Sequence, residues 1–399
     1  MTGITTAVPQ PEAEIVDGVV VQRLRIGPLA LETGGNLPDV VLAYETWGTL
    51  NADASNAVLI EHALTGSSHV ARGESAEDGW WDGLVGPGRT IDTDRYFVVS
   101  INMLGGCYGS TGPASLDPNG LPWGSRFPFV TIRDSVRAEA LLADLLGISS
   151  WHSVLGGSMG GARALEWAVT YPRRVQRCAV IACGAASTAE QIAFAQTQVQ
   201  AIRLDPRFTG GDYYGSAGPE DGLGLARRIA HITYRSEAEL VHRFGRAAQG
   251  VEEPFGSAVP GGRGRYQVES YLDHQAEKLV RRFDANSYVI LTEALMSHDV
   301  ARDRGSLSSA LADTTAEFFI AAVDSDRLYW PRQSAELASA LPGNVAVHTI
   351  ASPIGHDAFL TEIAQLEPAL VAAFYSNVPS NTDDGGVQET ASESRLRAG

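Results

Sequence analysis

Apolar and polar residues along this chain follow two periods, and the change from one to the other sets out its organisation. Alternation with period two over residues 18–26 and 40–46 predicts antiparallel strands at one edge of a sheet. Compact apolar runs over 56–61 and 96–101 end in loops, as strands buried on both faces do. Helical spacing follows over 132–146. A short strand at 153–155 then feeds a helix from Ser158 to Tyr171, which Pro172 stops. Further strands are predicted at 177–182, 317–323 and 344–350. Strands alternating with helices imply a mostly parallel sheet covered on both faces.

Between residues 187 and 304 no strand pattern survives. Apolar residues recur at helical spacing over 189–204, 223–234, 238–244, 268–283 and 288–298, interrupted by a Gly-rich connector at 255–264. This is a helical insertion between two sheet strands, where a lid would cover a site at the strand ends. The expected organisation is a loose leader over 1–14, a core built from 15–186 and 305–375, a helical lid over 187–304, and a polar, aperiodic tail over 376–399 that should be disordered.

Composition narrows the function. The chain has 399 residues, enough for one large core, and a formal charge of −17, which argues against nucleic acid or an anionic membrane as partner. No run of 18 apolar residues occurs, so no membrane span is expected. The start has neither a basic segment nor an apolar run, unlike a signal peptide. Cys107, Cys178 and Cys183 lack metal-like spacing and read as reduced thiols of a cytoplasmic protein.

The most informative stretch is Leu155-Gly156-Gly157-Ser158-Met159-Gly160-Gly161. It holds G-x-S-x-G between a predicted strand and a predicted helix, the context of a nucleophile elbow. Glycines at 156 and 160 admit close backbone, and the Ser158 hydroxyl stands at a helix N-terminus, where the dipole favours developing negative charge. A serine hydroxyl is a weak nucleophile and needs a base, itself steered by a carboxylate. In this fold the order is Ser, acid, His. His356 lies in a loop after the last predicted strand, where the base belongs, whereas His348 falls within that strand. Asp324 and Asp326 both follow the strand ending at Val323, and position alone does not choose between them; the other would cap the helix near Pro331. The oxyanion of acyl chemistry wants two N–H donors: one from Met159, the other from the loop of residues 62–69. His62 and His69 lie there too, but no partner ligand is spaced to help them, so no metal is expected.

Several further stretches agree on one family. His62-Ala63-Leu64-Thr65-Gly66, Gly79-Trp80-Trp81-Asp82, residues 102–113, residues 123–128, residues 225–235, Ser325-Asp326-Arg327-Leu328-Tyr329 and Gly355-His356-Asp357 together resemble the homoserine O-acetyltransferases of methionine biosynthesis, members of the α/β-hydrolase superfamily. The likeness runs from about Pro28 to Phe374. Ordinary esterases do not carry residues 105–113 beside 123–128. One departure is Ser67, where many relatives have Asp.

The resemblance implies an α/β-hydrolase fold with a helical lid. It implies Ser158, Asp326 and His356 as catalytic residues and the amides of Leu64 and Met159 as oxyanion donors. It implies Arg227 and Asp357, with Tyr234, as homoserine contacts: a guanidinium for the carboxylate and a carboxylate for the ammonium. It further implies acetyl-CoA as co-substrate with no bound cofactor, small-molecule partners only, a homodimer and a cytoplasmic location. Expected chemistry is ping-pong transfer of acetyl through Ser158 to the γ-hydroxyl of L-homoserine. Alternatives are a relative using succinyl-CoA or accepting serine, and a serine esterase or thioesterase with the same three residues.

Overall fold

The computed structural model describes residues 11–16, 18–256 and 263–375. Its main sheet has nine strands: β1 (Glu12–Val16), β2 (Val19–Ala30), β3 (Asn36–Trp47), β4 (Ala57–Glu61), β7 (Phe97–Ile101), β8 (Ser153–Gly157), β9 (Arg177–Ile181), β10 (Glu317–Val323) and β11 (Val347–Ile350). Their spatial order is β1-β2-β3-β7-β4-β8-β9-β10-β11. Pairings from β1 through β3 to β7 are antiparallel, and all pairings from β7 to β11 are parallel. A separate parallel ladder joins β5 (Val85–Gly86) and β6 (Ile91–Asp92).

The buried strands carry apolar residues on both faces because both faces are covered. Leu59, Val99, Val154, Val180 and Ile320 point into one apolar layer. Their chain neighbours Val58, Val98, Leu155, Ala179 and Ala321 point into the other. Helices α1 (Ile132–Leu145) and α2 (Met159–Thr170) pack beside the sheet. Thr131 and Asp134 close a reciprocal capping box at the start of α1.

Between β9 and β10 lie α3 (Ala189–Arg203), α4 (Glu220–Tyr234), α5 (Glu237–Phe244), α6 (Gln267–Val280), α7 (Ala285–Met296) and α8 (Leu307–Leu311). The ends of this insertion meet: the Ser187 amide donates to His298 O and the Val300 amide to Ala185 O, each at 2.9 Å. At the corner between α4 and α5, the Ser236 amide donates to Ile354 O at 3.1 Å, which docks the insertion on the loop holding His356. After β10 come α9 (Pro331–Ala340), α10 (Ala358–Thr361) and α11 (Ile363–Leu370).

One expectation is corrected. The expected loose leader over 1–14 overlaps a strand: Glu12–Val16 is β1, folded back on β2 by a turn in which Gly18 has φ of 81°. Most of β1 is exposed on both faces, so burial imposes no alternation for a sequence pattern to reveal. Residues 1–10, most of the Gly-rich connector (257–262) and the tail over 376–399 lie outside the described residues. Among the described residues, no helix is long and apolar enough to cross a membrane.

Candidate active site

The site begins where β8 stops. Ser158 separates β8 from α2 with φ 58° and ψ −125°, a conformation that costs a non-glycine residue about 1–3 kcal/mol. Its neighbours permit the bend. A Cβ at residue 156 would stand 2.3 Å from Gly160 backbone atoms, and a Cβ at residue 160 would stand 2.0 Å from Glu61 O. The first turn of α2 therefore sits directly on the end of β4. That close approach brings the elbow against the loop of residues 62–69.

Three side chains from three strand ends form a line. Ser158 Oγ lies 2.8 Å from His356 Nε2, and His356 Nδ1 lies 2.7 Å from Asp326 Oδ2. The carboxylate accepts, so the Nδ1 proton points to it and Nε2 is left to take the Ser158 O–H. Asp326 is held in turn: its Oδ1 accepts the amides of Leu328 (2.8 Å) and Tyr329 (2.9 Å). The Tyr329 ring stacks on the imidazole at 5.3 Å. All three side chains are buried. Burial opposes charging His356, but the Asp326 charge and hydrogen bond, with Asp357 nearby, outweigh it and hold its pKa above the ordinary histidine value.

The choice between the two aspartates is thus made by contact. Asp324 does not touch His356; its Oδ1 accepts the Ser352 amide at 3.0 Å and braces the loop after β11. The expectation that the second Asp caps the next helix is corrected, because α9 begins at Trp330-Pro331, where the Gln333 side chain closes the turn instead.

Leu64 lines the same cavity as Ser158, and Met159 follows Ser158 in the chain. Met159 opens α2, so its amide precedes the first intrahelical bond. No hydrogen bond among the described residues takes up the Leu64 amide. Its loop is rigidly held. The Gly66 amide donates to Ala63 O (2.9 Å), and Arg282 Nη1 donates to Thr65 O (2.9 Å). His62 Nε2 accepts the Met103 amide at 3.0 Å, so Nδ1 carries the proton and donates to Ala63 O at 2.8 Å. Full burial, with Arg163 nearby, lowers the His62 pKa to about 3 and keeps it neutral. With both nitrogens engaged inside the chain, His62 has no lone pair for a metal.

The residues expected to contact an amino-acid substrate flank the same line. Arg227, on α4, donates to Thr65 Oγ1 at 3.3 Å and lies over the Tyr234 ring at 5.6 Å. Its Nε is buried and unpartnered. Asp357 follows His356 and pairs with Arg235 Nη2 at 3.1 Å. Burial raises the Asp357 pKa against the opposing pull of Arg235, His356 and Arg227. Sequence reasoning assigned no role to Arg235, Thr65 or Arg282. Arg235 stands beside Tyr234, but its partner Asp357 lies 122 positions away.

Over Ser158 opens a cavity of about 60 Å³ roofed by α3 and α7, with Leu64, Phe194, Met296 and Leu328 among its walls. Its lining includes Gln191, Gln198 and Thr292 but no charged side chain. Such an arrangement can make a serine nucleophilic, stabilise an oxyanion and hold a small neutral acyl group away from bulk water.

Comparison with known proteins adds the family context. A family model described as alpha/beta hydrolase fold matches residues 56–363. The homoserine O-acetyltransferase of Thermobifida fusca (strain YX) is 58% identical over 344 residues, 85% of this chain and 89% of that protein. Among solved structures, homoserine O-acetyltransferase from Bacillus anthracis superposes with a TM-score of 0.83 at 31% identity, covering 89% of this chain and 97% of that one. An acetylester hydrolase from Corynebacterium glutamicum does so with a TM-score of 0.75 at 29% identity, covering 89% and 95%. Proteins of this shape thus include both a transferase and a hydrolase.

Proposed function

The chain belongs to the homoserine O-acetyltransferases of the α/β-hydrolase fold, and on that premise we propose that it carries acetyl from acetyl-CoA to the γ-hydroxyl of L-homoserine by way of Ser158, giving O-acetyl-L-homoserine for methionine biosynthesis. Acetyl-CoA acts first. His356 takes the Ser158 proton, Ser158 Oγ attacks the thioester carbonyl, and the amides of Leu64 and Met159 receive the oxyanion. Coenzyme A leaves with the proton from His356, and acetyl-serine remains. Homoserine then binds with its carboxylate toward Arg227 and Tyr234 and its ammonium toward Asp357. His356 accepts the γ-hydroxyl proton, the alkoxide attacks the acetyl carbonyl, and the proton passes back to Ser158 as the product departs.

The observation that carries this reading is the unbroken Ser158–His356–Asp326 line beneath a cavity walled by α3 and α7, with Arg227 at Thr65 and the Asp357 carboxylate next to His356. The cavity wall also favours acetyl over succinyl, whose distal carboxylate would meet no charged partner among the lining residues. The resemblance further implies a homodimer in the cytoplasm, and both are part of the proposal. The test is a panel of acetyl-CoA and succinyl-CoA against homoserine and serine. Acetyl-CoA with homoserine should be the fastest pair; a succinyl or serine preference would overturn the substrate assignment.

A hydrolase reading stands second, favoured by the acetylester hydrolase of similar shape. Release of coenzyme A at the same rate with and without homoserine would select it.

A further inference from the structure

We propose that His69 is a positioning residue: a buried imidazolium whose two N–H groups pin the far end of the loop that bears the Leu64 amide. The proposal rests on donor and acceptor accounting. His69 Nδ1 lies 2.8 Å from Glu45 Oε2, and Nε2 lies 3.1 Å from Glu77 O. A carboxylate and a backbone carbonyl both only accept, so a neutral imidazole, with one N–H, satisfies one partner and turns a lone pair on the other. Only the doubly protonated ring satisfies both. It does so at 7% exposure, beside a Glu45 that is 8% exposed.

The rest of the cluster closes consistently with that charge. Glu45 Oε1 accepts the Ser68 hydroxyl at 2.6 Å, and Ser68 Oγ accepts Asn102 Nδ2–H at 2.9 Å. The Ser68 amide donates to Asn102 Oδ1 at 2.7 Å. An ionised Glu45 needs a counter-charge when buried, and His69 provides it. The charged side chains facing the ring are Glu45 on β3 and Asp82 in the turn after the loop; Glu77 adds its carbonyl. The Glu45 hydrogen bond is the largest influence on the ring and, with the Glu77 bond and the Asp82 charge, holds its pKa above the ordinary value despite burial.

Geometry links this cluster to the proposed chemistry. Asn102 and Met103 are consecutive, and together they grip both ends of the loop: Met103 through His62 Nε2, Asn102 through Ser68. The Leu64 amide lies between the two grips. Trp80 ties the same stretch from outside, its Nε1–H donating to Ser67 O at 2.9 Å. Loss of the His69 proton would leave the buried Glu45 carboxylate without its cation and free the 67–69 end. The oxyanion donor would then lose its fixed position, though no reacting atom touches His69. This argument uses only the oxyanion assignment of Leu64 and is independent of which alcohol accepts the acyl group.

The experiment combines nitrogen NMR of the full chain labelled with ¹⁵N-histidine and the burst of p-nitrophenol from p-nitrophenyl acetate, a substrate with no group that titrates in the range studied. The His69 signals, identified by their loss in H69Q, should pass from two protonated nitrogens to one with a midpoint above the ordinary histidine value near 6.5. The wild-type burst rate should fall again at alkaline pH as His69 discharges. H69Q should lower the burst rate by about tenfold to a hundredfold and lack that alkaline fall, while keeping the acid limb set by His356. E45Q, which preserves shape, should move the alkaline fall to lower pH. A His69 midpoint at or below the ordinary histidine value, or H69Q and E45Q profiles within twofold of wild type at every pH, overturns the proposal. Should H69Q fail to fold, signals common to wild type and absent in H69N, together with the E45Q profile, decide it in the same way. Absence of any burst in the wild type would instead strike at Ser158 as nucleophile, and the NMR result would still judge His69.

Discussion

At the residue scale, hydrogen-bond direction fixes what each substitution should do. Ser158 donates to His356 Nε2 and His356 Nδ1–H donates to Asp326. S158A should therefore form no acetyl-enzyme, read by intact-mass spectrometry after mixing with acetyl-CoA. D326N should reverse the imidazole's preferred tautomer and lower the acylation rate by roughly 10³- to 10⁴-fold with the fold intact by circular dichroism. His356 must be neutral to accept a proton, and its pKa is raised, so acylation should be lost as pH falls through a midpoint above the usual value near 6.5. A midpoint at or below that value in the pH–rate profile would contradict the Asp326 contact. Ser158 was legible in sequence because a strained elbow demands glycines at fixed offsets. Asp326 was not separable from Asp324 by pattern, since two residues at a strand end differ only in which loop they meet, and that is a long-range fact. Arg282 was invisible for the same reason: its partner Thr65 O is 217 positions away.

At the scale of elements, the site is a junction between the end of β4, the start of α2 and the insertion. The tightest point is Gly160 against Glu61 O. G160A should force these backbones apart and destabilise the protein by about 2–3 kcal/mol, visible as a lower midpoint in thermal or urea unfolding; an unchanged midpoint would refute the packing. The loop of residues 62–69 brings its own pH dependence. The His69 pKa is raised on folding, so its contribution to stability is complete below the unfolded value near 6.5 and fades as pH rises through the higher folded value. The wild-type unfolding midpoint should fall across that window, and E45Q should flatten the slope. Arg227, on α4, joins the insertion to the substrate: R227A should raise the KM for homoserine by tenfold or more and leave acetyl-enzyme formation nearly unchanged. Equal damage to both half-reactions would make it structural. The insertion helices were readable from their 3.6-residue period, and the parallel strands from their apolar runs. β1 was not, because a strand exposed on both faces carries no alternation.

At the scale of the molecule, proteins of this shape include a homoserine O-acetyltransferase and an acetylester hydrolase, so the overall fold does not by itself separate transfer from hydrolysis. Here α3 and α7 close over Ser158, and the two ends of the insertion are bonded side by side at Ser187 and His298. The cavity of about 60 Å³ over Ser158 has room for a small group such as acetyl, and α3 and α7 narrow the approach to it. The strongly negative charge of the whole chain does not reach into that cavity wall, which is neutral. The central claim is that acetyl-Ser158 waits for an alcohol. Rapid quench of the protein with acetyl-CoA alone, followed by intact mass and peptide mapping, tests it most directly. The account predicts one acetyl group on Ser158, release of one equivalent of coenzyme A and then a halt, with discharge to O-acetyl-homoserine when homoserine is added. Continuous release of coenzyme A without homoserine, or an acetyl group on any other residue, would contradict it.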